Sequence, residues 1–220
     1  MIHIYKTSEF ANILRGKHFF LFDNYTILFW KEEENDYFIA SIDPQKNDYN
    51  FADYLQLPDY APYELVNGKF IFMAAPKINH QRSILKLAVL ITPFVVKNKL
   101  GEVLISPCDV RFDEKNCCQP DLLFVSIERL PIIDENRVNE APDLAVEVLS
   151  TNSKNDLVDK METYAKFGVL EYWIIDLKSP KIEVFENQKG EMVLVQSAGA
   201  GGKIRSKVIK DFVLELNDIL

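Results

Sequence analysis

The chain has 220 residues, 48% hydrophobic and 26% charged, so it can bury a good core as one domain or as one domain with an appendage. A formal net charge of −8 excludes a surface that coats nucleic acid by general basicity, while leaving room for a local basic groove. No apolar run approaches the ~18 to 20 residues of a membrane-spanning helix, and the first residues lack the apolar core and cleavage site of a signal peptide. The three cysteines, Cys108, Cys117 and Cys118, are odd in number and two are adjacent. With only His3, His18 and His80 beside them they make no zinc spacing, and they read as reduced thiols in a cytoplasmic protein.

Residues 1–50 are expected to form a small β-rich extension. A short helix around 8–15 precedes HFFLFD, TILFW and YFIASI, which alternate with turn signals as an antiparallel meander does. The KEEEND turn (31–36) is acidic, but consecutive carboxylates point in different directions, so it reads as solvated rather than as a metal site. The stretch IDPQKND (42–48) marks the boundary.

From Phe51 the character changes. FADYLQLP is a short helical segment, and YELVNGKFIFMAAP reads as a hairpin whose Asn67-Gly68 turn needs two residues that tolerate positive φ. Glu64 lies in its first strand. Asn79 is predicted to cap a helix over 80–99, with Ile84, Leu87, Ala88, Ile91 and Val95 on its apolar face and Pro93 kinking or ending it early. His80, at the start of that helix, could serve as a general base but reads better as a cap or packing residue. GEVLISPCDVRFD (101–113) is predicted as a strand interrupted or bulged at Pro107, and EKNCCQ (114–119) as a polar turn.

PDLLFVS (120–126) and DLAVEVL (143–149) are near-continuous apolar runs of the kind found in strands covered on both faces. Each carries a carboxylate, Asp121 at the start of the first and Glu147 within the second. A charged Glu in a buried strand costs several kcal/mol unless it is paired or binds a metal. The helix over 153–167 has Ser153 and Asp156 in capping-box spacing, and Leu157, Val158, Met161, Tyr164 and Ala165 on one face, before Gly168 ends it. EYWIID (171–176) and KIEVFE (181–186) are the next strands, with Tyr172 and Trp173 as core residues. The tail holds EMVLVQS, a glycine-rich turn, KIRSKVI and DFVLELNDIL. That turn, 198–203, is not a phosphate loop, because Ile204 follows its lysine and a strand follows instead of a helix.

If strands 121–126 and 143–149 pair antiparallel, the start of the first lies beside the end of the second. Asp121 and Glu147 then share one sheet edge. The helix after Glu147 begins at that edge, so Lys160 can lean towards the pair, and strand 101–112 brings Asp109 into the neighbourhood. Two carboxylates ~4 Å apart repel by about 4 kcal/mol at an effective dielectric of 20, so a proton or a cation must sit between them. Hard oxygen ligands without Cys or His suit Mg²⁺. Such a metal beside a lysine is suited to phosphodiester hydrolysis.

PDLLFVS, APDLAVEVLS and the run DLVDKMETYAKFGVLEYWIID together resemble the Uma-type restriction endonuclease family of the PD-(D/E)XK nuclease superfamily. YELVNGKFIFMAAP with NHQRSILKLAVLI is similar to its N-terminal part, and SKVIKDFVLELNDIL to its C-terminal strand and helix. The resemblance covers roughly 51–220 and implies a restriction-endonuclease-like α/β domain, a mixed central sheet flanked by helices. By that resemblance Asp121 and Glu147 are the metal ligands. The superfamily's E-X-K triplet would place its lysine at Leu149, and here the resemblance moves the basic role to Lys160. Glu64 and Asp109 match acidic positions near the family's site, Glu64 as a further catalytic residue and Asp109 as a further metal ligand.

The expected activity is Mg²⁺-dependent hydrolysis of DNA, with Mn²⁺ as a substitute metal and no membrane partner. A nuclease that cuts both strands often works as a dimer, which makes a homodimer the assembly to test. Two rival readings stand beside this one. The chain could be a catalytically inactive nuclease-fold binding or assembly module, as the lysine missing from the strand suggests. Alternatively, Glu147 could be held by a buried Lys or Arg for purely structural reasons.

Overall fold

The computed structural model describes residues 3–6, 19–23, 25–31, 36–58, 61–149 and 154–220. The expected helix at 8–15, the tip of the KEEEND turn and the Ser153 cap lie outside them. The chain divides into two compact units, one formed by 1–74 with 113–116 and the other by 75–112 with 117–220.

In the first unit, β1 (His3–Lys6), β2 (Phe19–Asp23), β3 (Thr26–Lys31) and β4 (Asp36–Ser41) form an antiparallel sheet in the order β1-β4-β3-β2. The expected meander is therefore present as β2-β3-β4, and β1 closes its far edge. Ile27, Phe29, Phe38, Ala40 and Ile42 are buried in this unit. Helix α1 (Phe51–Tyr54) starts at a capping box in which Asn50 and Asp53 bond each other's backbone N–H.

β5 (Tyr63–Val66) and β6 (Lys69–Phe72) make the predicted hairpin. Asn67 and Gly68 both have positive φ, 50° and 75°, as a type I′ turn demands. Gly68 is required for a second reason. A Cβ there would lie 2.6 Å from the Asn47 carbonyl oxygen.

The second unit opens with α2 (Ile78–Asn98). Asn79 is not its cap: the helix starts after Lys77 with no side-chain cap bond, and Asn79 Oδ1 accepts instead from Arg82. Nor does Pro93 end the helix. The apolar stripe of Ile84, Leu87, Ile91 and Val95 is buried on both sides of Pro93, which itself faces solvent, so packing outweighs the lost backbone bond.

Then follow β7 (Gly101–Ile105), β8 (Val110–Asp113), β9 (Asn116–Cys118), β10 (Leu122–Ser126) and β11 (Leu144–Val148). The chain interrupted at Pro107 forms two strands that belong to different sheets. The stretch 116–118, expected as polar turn, is a buried strand, because Cys117 and Cys118 behave as small hydrophobes. No cysteine forms a disulfide, and burial pushes the Cys108 thiol up to about 11, with Asp109 and Glu102 adding to the effect.

α3 (Lys154–Phe167) leads through Gly168, in the left-handed region, to β12 (Glu171–Asp176), β13 (Lys181–Gln188) and β14 (Glu191–Gly199). β15 (Lys203–Arg205) and β16 (Val213–Glu215) pair as a small antiparallel ribbon near the C-terminus. The main sheet has six strands in the order β14-β13-β12-β11-β10-β7. β11 and β12 run parallel, joined through α3, and the other neighbours are antiparallel.

Side-chain alternation gives the sheet two buried faces. Leu122, Phe124, Leu144, Val146, Val148, Trp173 and Ile175 pack on the α2 stripe and on Phe212, Leu214 and Ile219. Each such large side chain contributes about 1.5–3 kcal/mol on burial. The opposite face carries Leu123 and Val125 against Val110 and Val138, and Tyr172 against Tyr164 of α3.

A carboxylate is buried where β12 begins. Glu171 Oε1 accepts from the Trp173 indole N–H (2.6 Å) and the Ser206 hydroxyl (2.9 Å), while Oε2 accepts from the Lys207 backbone N–H (2.6 Å). Burial, the largest influence, raises the Glu171 pKa above its ordinary 4.5, and those donors oppose it without cancelling it. The folded state then holds the proton more tightly than the unfolded state. Stability from this group is full below about 4.5 and is lost as pH rises through the folded value. Glu171→Gln lacks this dependence. Denaturant titrations at successive pH values should therefore show its stability improving relative to wild type as pH climbs through that window.

Candidate active site

The β10–β11 register builds the site. Leu122, Leu123 and Phe124 face Val146, Ala145 and Leu144. Extending that register by one residue sets Asp121, just before β10, opposite Glu147. Opposed positions in an antiparallel pair lie side by side, so the two residues stand at one end of the sheet. The pairing expected from sequence is therefore present, and with it the shared edge.

Glu147 lies on the face covered by α3, beside Ile174 of β12 in the parallel register. It is only 8% exposed. Lys160 Nζ donates to Glu147 Oε1 at 2.9 Å, and the Tyr164 hydroxyl donates to the same oxygen at 2.9 Å. Lys160 and Tyr164 stand four residues apart and so share a helix face. Tyr164 is held by Tyr172 and Phe112, with ring centroids 5.1 and 5.6 Å away.

This buried face differs from the apolar face expected for α3. Val158 is 57% exposed, whereas Lys160 and Thr163 are buried with Tyr164 and Ala165. The Glu147 carboxylate explains the exchange, because an ion in a buried strand draws in its counter-ion even though the helix must bury a lysine.

Asp121 is bound from two other directions. Its Oδ2 accepts the Val148 backbone N–H at 2.7 Å and meets His80 Nε2, from the first turn of α2, at 3.1 Å. No donor among the described residues reaches Oδ1. His80 is buried, which by itself is the largest influence and disfavours its charged form. The hydrogen bond and charge of Asp121, with the charge of Glu147, more than offset this and raise its pKa above 6.5.

The other two expected residues have the following settings. Asp109 Oδ1 accepts from Gln119 Nε2 at 2.8 Å, and no three His, Cys, Asp or Glu side chains gather to hold a metal among the described residues. Asp109 is thus not drawn into a three-ligand cluster with Asp121 and Glu147. Glu64 belongs to the first unit, buried on β5 opposite Ile71. In turn the structure adds two residues to the sequence-based set. Tyr164 could have been found from its spacing to Lys160. His80, expected as a cap or packing residue, is bonded to Asp121, a partner 41 residues away that its helix position does not reveal.

A mixed sheet with a helix on each face, and two carboxylates with a lysine at one strand end, define a protein of the restriction-endonuclease-like fold. A solved structure from Anabaena variabilis, described as a putative nuclease belonging to DUF820, matches this fold with a TM-score of 0.66 at 19% identity, over 77% of this chain and 96% of that one. No curated protein matches the chain. The family model described as "Uma2: Putative restriction endonuclease" matches residues 51–217, and the chain belongs to that family. No helix among the described residues is long and apolar enough to cross a membrane.

Removing the lysine should expose the charge it covers. Lys160→Met leaves Glu147 buried without its cation and should cost about 3–5 kcal/mol. In a Glu147→Gln background the same change should cost much less. Urea denaturation of the two single variants and the double variant measures the difference.

Proposed function

We propose that the chain hydrolyses DNA phosphodiester bonds with Mg²⁺, Mn²⁺ serving as a substitute. The observation that carries this reading is the placement of Asp121 opposite Glu147 at one end of the sheet, with Lys160 on the Glu147 carboxylate. Membership of an endonuclease family supports it.

The donor set suits the metal. Two carboxylates offer hard oxygen ligands and would leave a divalent ion most of its shell for water and phosphate oxygens, as Mg²⁺ prefers. Asp121 would hold the ion through Oδ1, and Glu147 would share it. When bound, the ion supplies a water of lowered pKa and charge compensation for the phosphate. Lys160, 2.9 Å from Glu147 Oε1, keeps a cation at the site, where it balances Glu147 before substrate binds and offers N–H donors to a phosphoryl oxygen or to the attacking water. Tyr164 fixes the Glu147 side chain so that this exchange takes place without rearrangement of the strand. We further assign the reaction to a nuclease domain over 51–220, with 1–50 as an extension outside it.

The test uses the full chain on supercoiled, linear and single-stranded DNA. Cleavage should appear with millimolar Mg²⁺ or Mn²⁺, vanish in EDTA, and fall below detection in Asp121→Asn and Glu147→Gln. Both variants should still fold by circular dichroism. If the wild-type chain cuts no form of DNA with either metal and its melting temperature ignores both, the family fold serves a binding role here instead.

A further inference from the structure

Resting on the nuclease reading above, we infer that His80 is a positioning residue: its Nε2–H holds Asp121 by Oδ2 and so leaves Oδ1 to face the metal. The argument begins with what His80 does not do. It is the third residue of α2, and the helix has no side-chain cap bond, so His80 is not a cap. It is 8% exposed, and its Nδ1 is buried with no hydrogen-bond partner among the described residues. A residue present only for packing gains nothing from such an atom. An orphaned buried polar group costs about 1–3 kcal/mol, and a phenylalanine would fill similar space without it.

The side chain His80 bonds is Asp121, Nε2 to Oδ2 at 3.1 Å, with the Val148 backbone and the Glu147 charge also favouring its protonated form. Asp121 Oδ2 already accepts the Val148 N–H at 2.7 Å. One donor alone would leave the carboxylate able to rotate about its Cβ–Cγ bond and exchange its oxygens. Two donors arriving from different elements, β11 and α2, fix the carboxylate plane. The second oxygen is then held in one orientation and accepts no bond from the described residues. Groups that hydrogen-bond a metal's ligands act in this way, and losing one typically weakens metal affinity or activity about 10- to 100-fold.

His80 also ties together the two faces of the sheet. α2 packs on the face of Leu122 and Val146, whereas Glu147 is covered by α3 on the other. Asp121, at the strand end, is where a side chain from the α2 layer reaches a group paired with the α3 layer. His80 makes that connection.

Mn²⁺ binding, followed by the loss of its free electron-spin resonance signal without DNA, tests the inference on the full-length protein. His80→Phe keeps the volume and removes the donor, and should weaken binding about 10- to 100-fold. His80→Gln restores an N–H donor at similar reach and should recover most of the affinity. Nitrogen NMR of the wild-type ring should place a proton on Nε2. Equal affinity in His80→Phe and wild type, equal losses in both variants, or a ring protonated on Nδ1 alone would each overturn the positioning role while leaving the nuclease reading intact. The NMR arm decides the matter even if the phenylalanine variant does not fold. If wild type binds no Mn²⁺ and Asp121→Asn behaves identically, the nuclease reading fails, and the role of His80 fails with it.

Discussion

The register between β10 and β11 is the constraint on which the site depends. Side chains alternate with a period of two, so a slip of one residue would send Glu147 into the apolar face beneath α2 and leave Asp121 facing a different partner. The register is held in part by Asp121 itself. Its Oδ2 accepts the Val148 N–H at 2.7 Å, so a side chain does at the strand end what a backbone carbonyl does within the ladder. The residue proposed to bind metal therefore also sets the alignment that brings its partner opposite.

Both faces of this sheet are buried, which decides where charge can sit. Along β11 the residues Leu144, Val146 and Val148 join the apolar core, and only the alternate positions are open to other chemistry. The two ends of the sheet solve the problem of a buried acid differently. Glu171, where β12 begins, is surrounded by neutral donors, and burial raises its pKa. Glu147, at the other end, has a lysine ammonium and a phenol on one oxygen. A neutral cage suits a structural carboxylate, whereas a displaceable cation suits a carboxylate that is to exchange partners.

Much of this is legible in the sequence. The strands around Asp121 and Glu147 announce themselves as apolar runs with one charge each, and strand direction then puts both charges at one edge. The Asn67-Gly68 hairpin was equally clear, since its turn chemistry is local. What escaped was long-range. Periodicity assigns Val158 to the buried face of α3, where it is exposed, whereas Lys160 is brought to Glu147 by the strand-edge argument and not by the helical period. Pro93 is tolerated because a stripe on both sides of it is packed. The Asn116–Cys118 strand was hidden by the polar residues that flank it.

The departure from the superfamily's triplet has a geometric reading that bears on whether the chemistry survives it. A lysine at 149 would share the face of Glu147, because residues two apart in a strand point the same way. The backbone there keeps strand geometry, with the Leu149 N–H donating to the Ile175 carbonyl at 2.8 Å, so Leu149 occupies the position from which the triplet's lysine would act. Lys160 arrives on that same face from α3 and ends 2.9 Å from the carboxylate. Moving the ammonium from strand to helix preserves both its sign and its side of the sheet. It also anchors the cation to an element that carries Tyr164 one turn later, so cation and phenol reach Glu147 as a single rigid unit. The proposed reaction needs a positive group beside the glutamate, and the fold provides it without requiring that group to follow Glu147 in the chain.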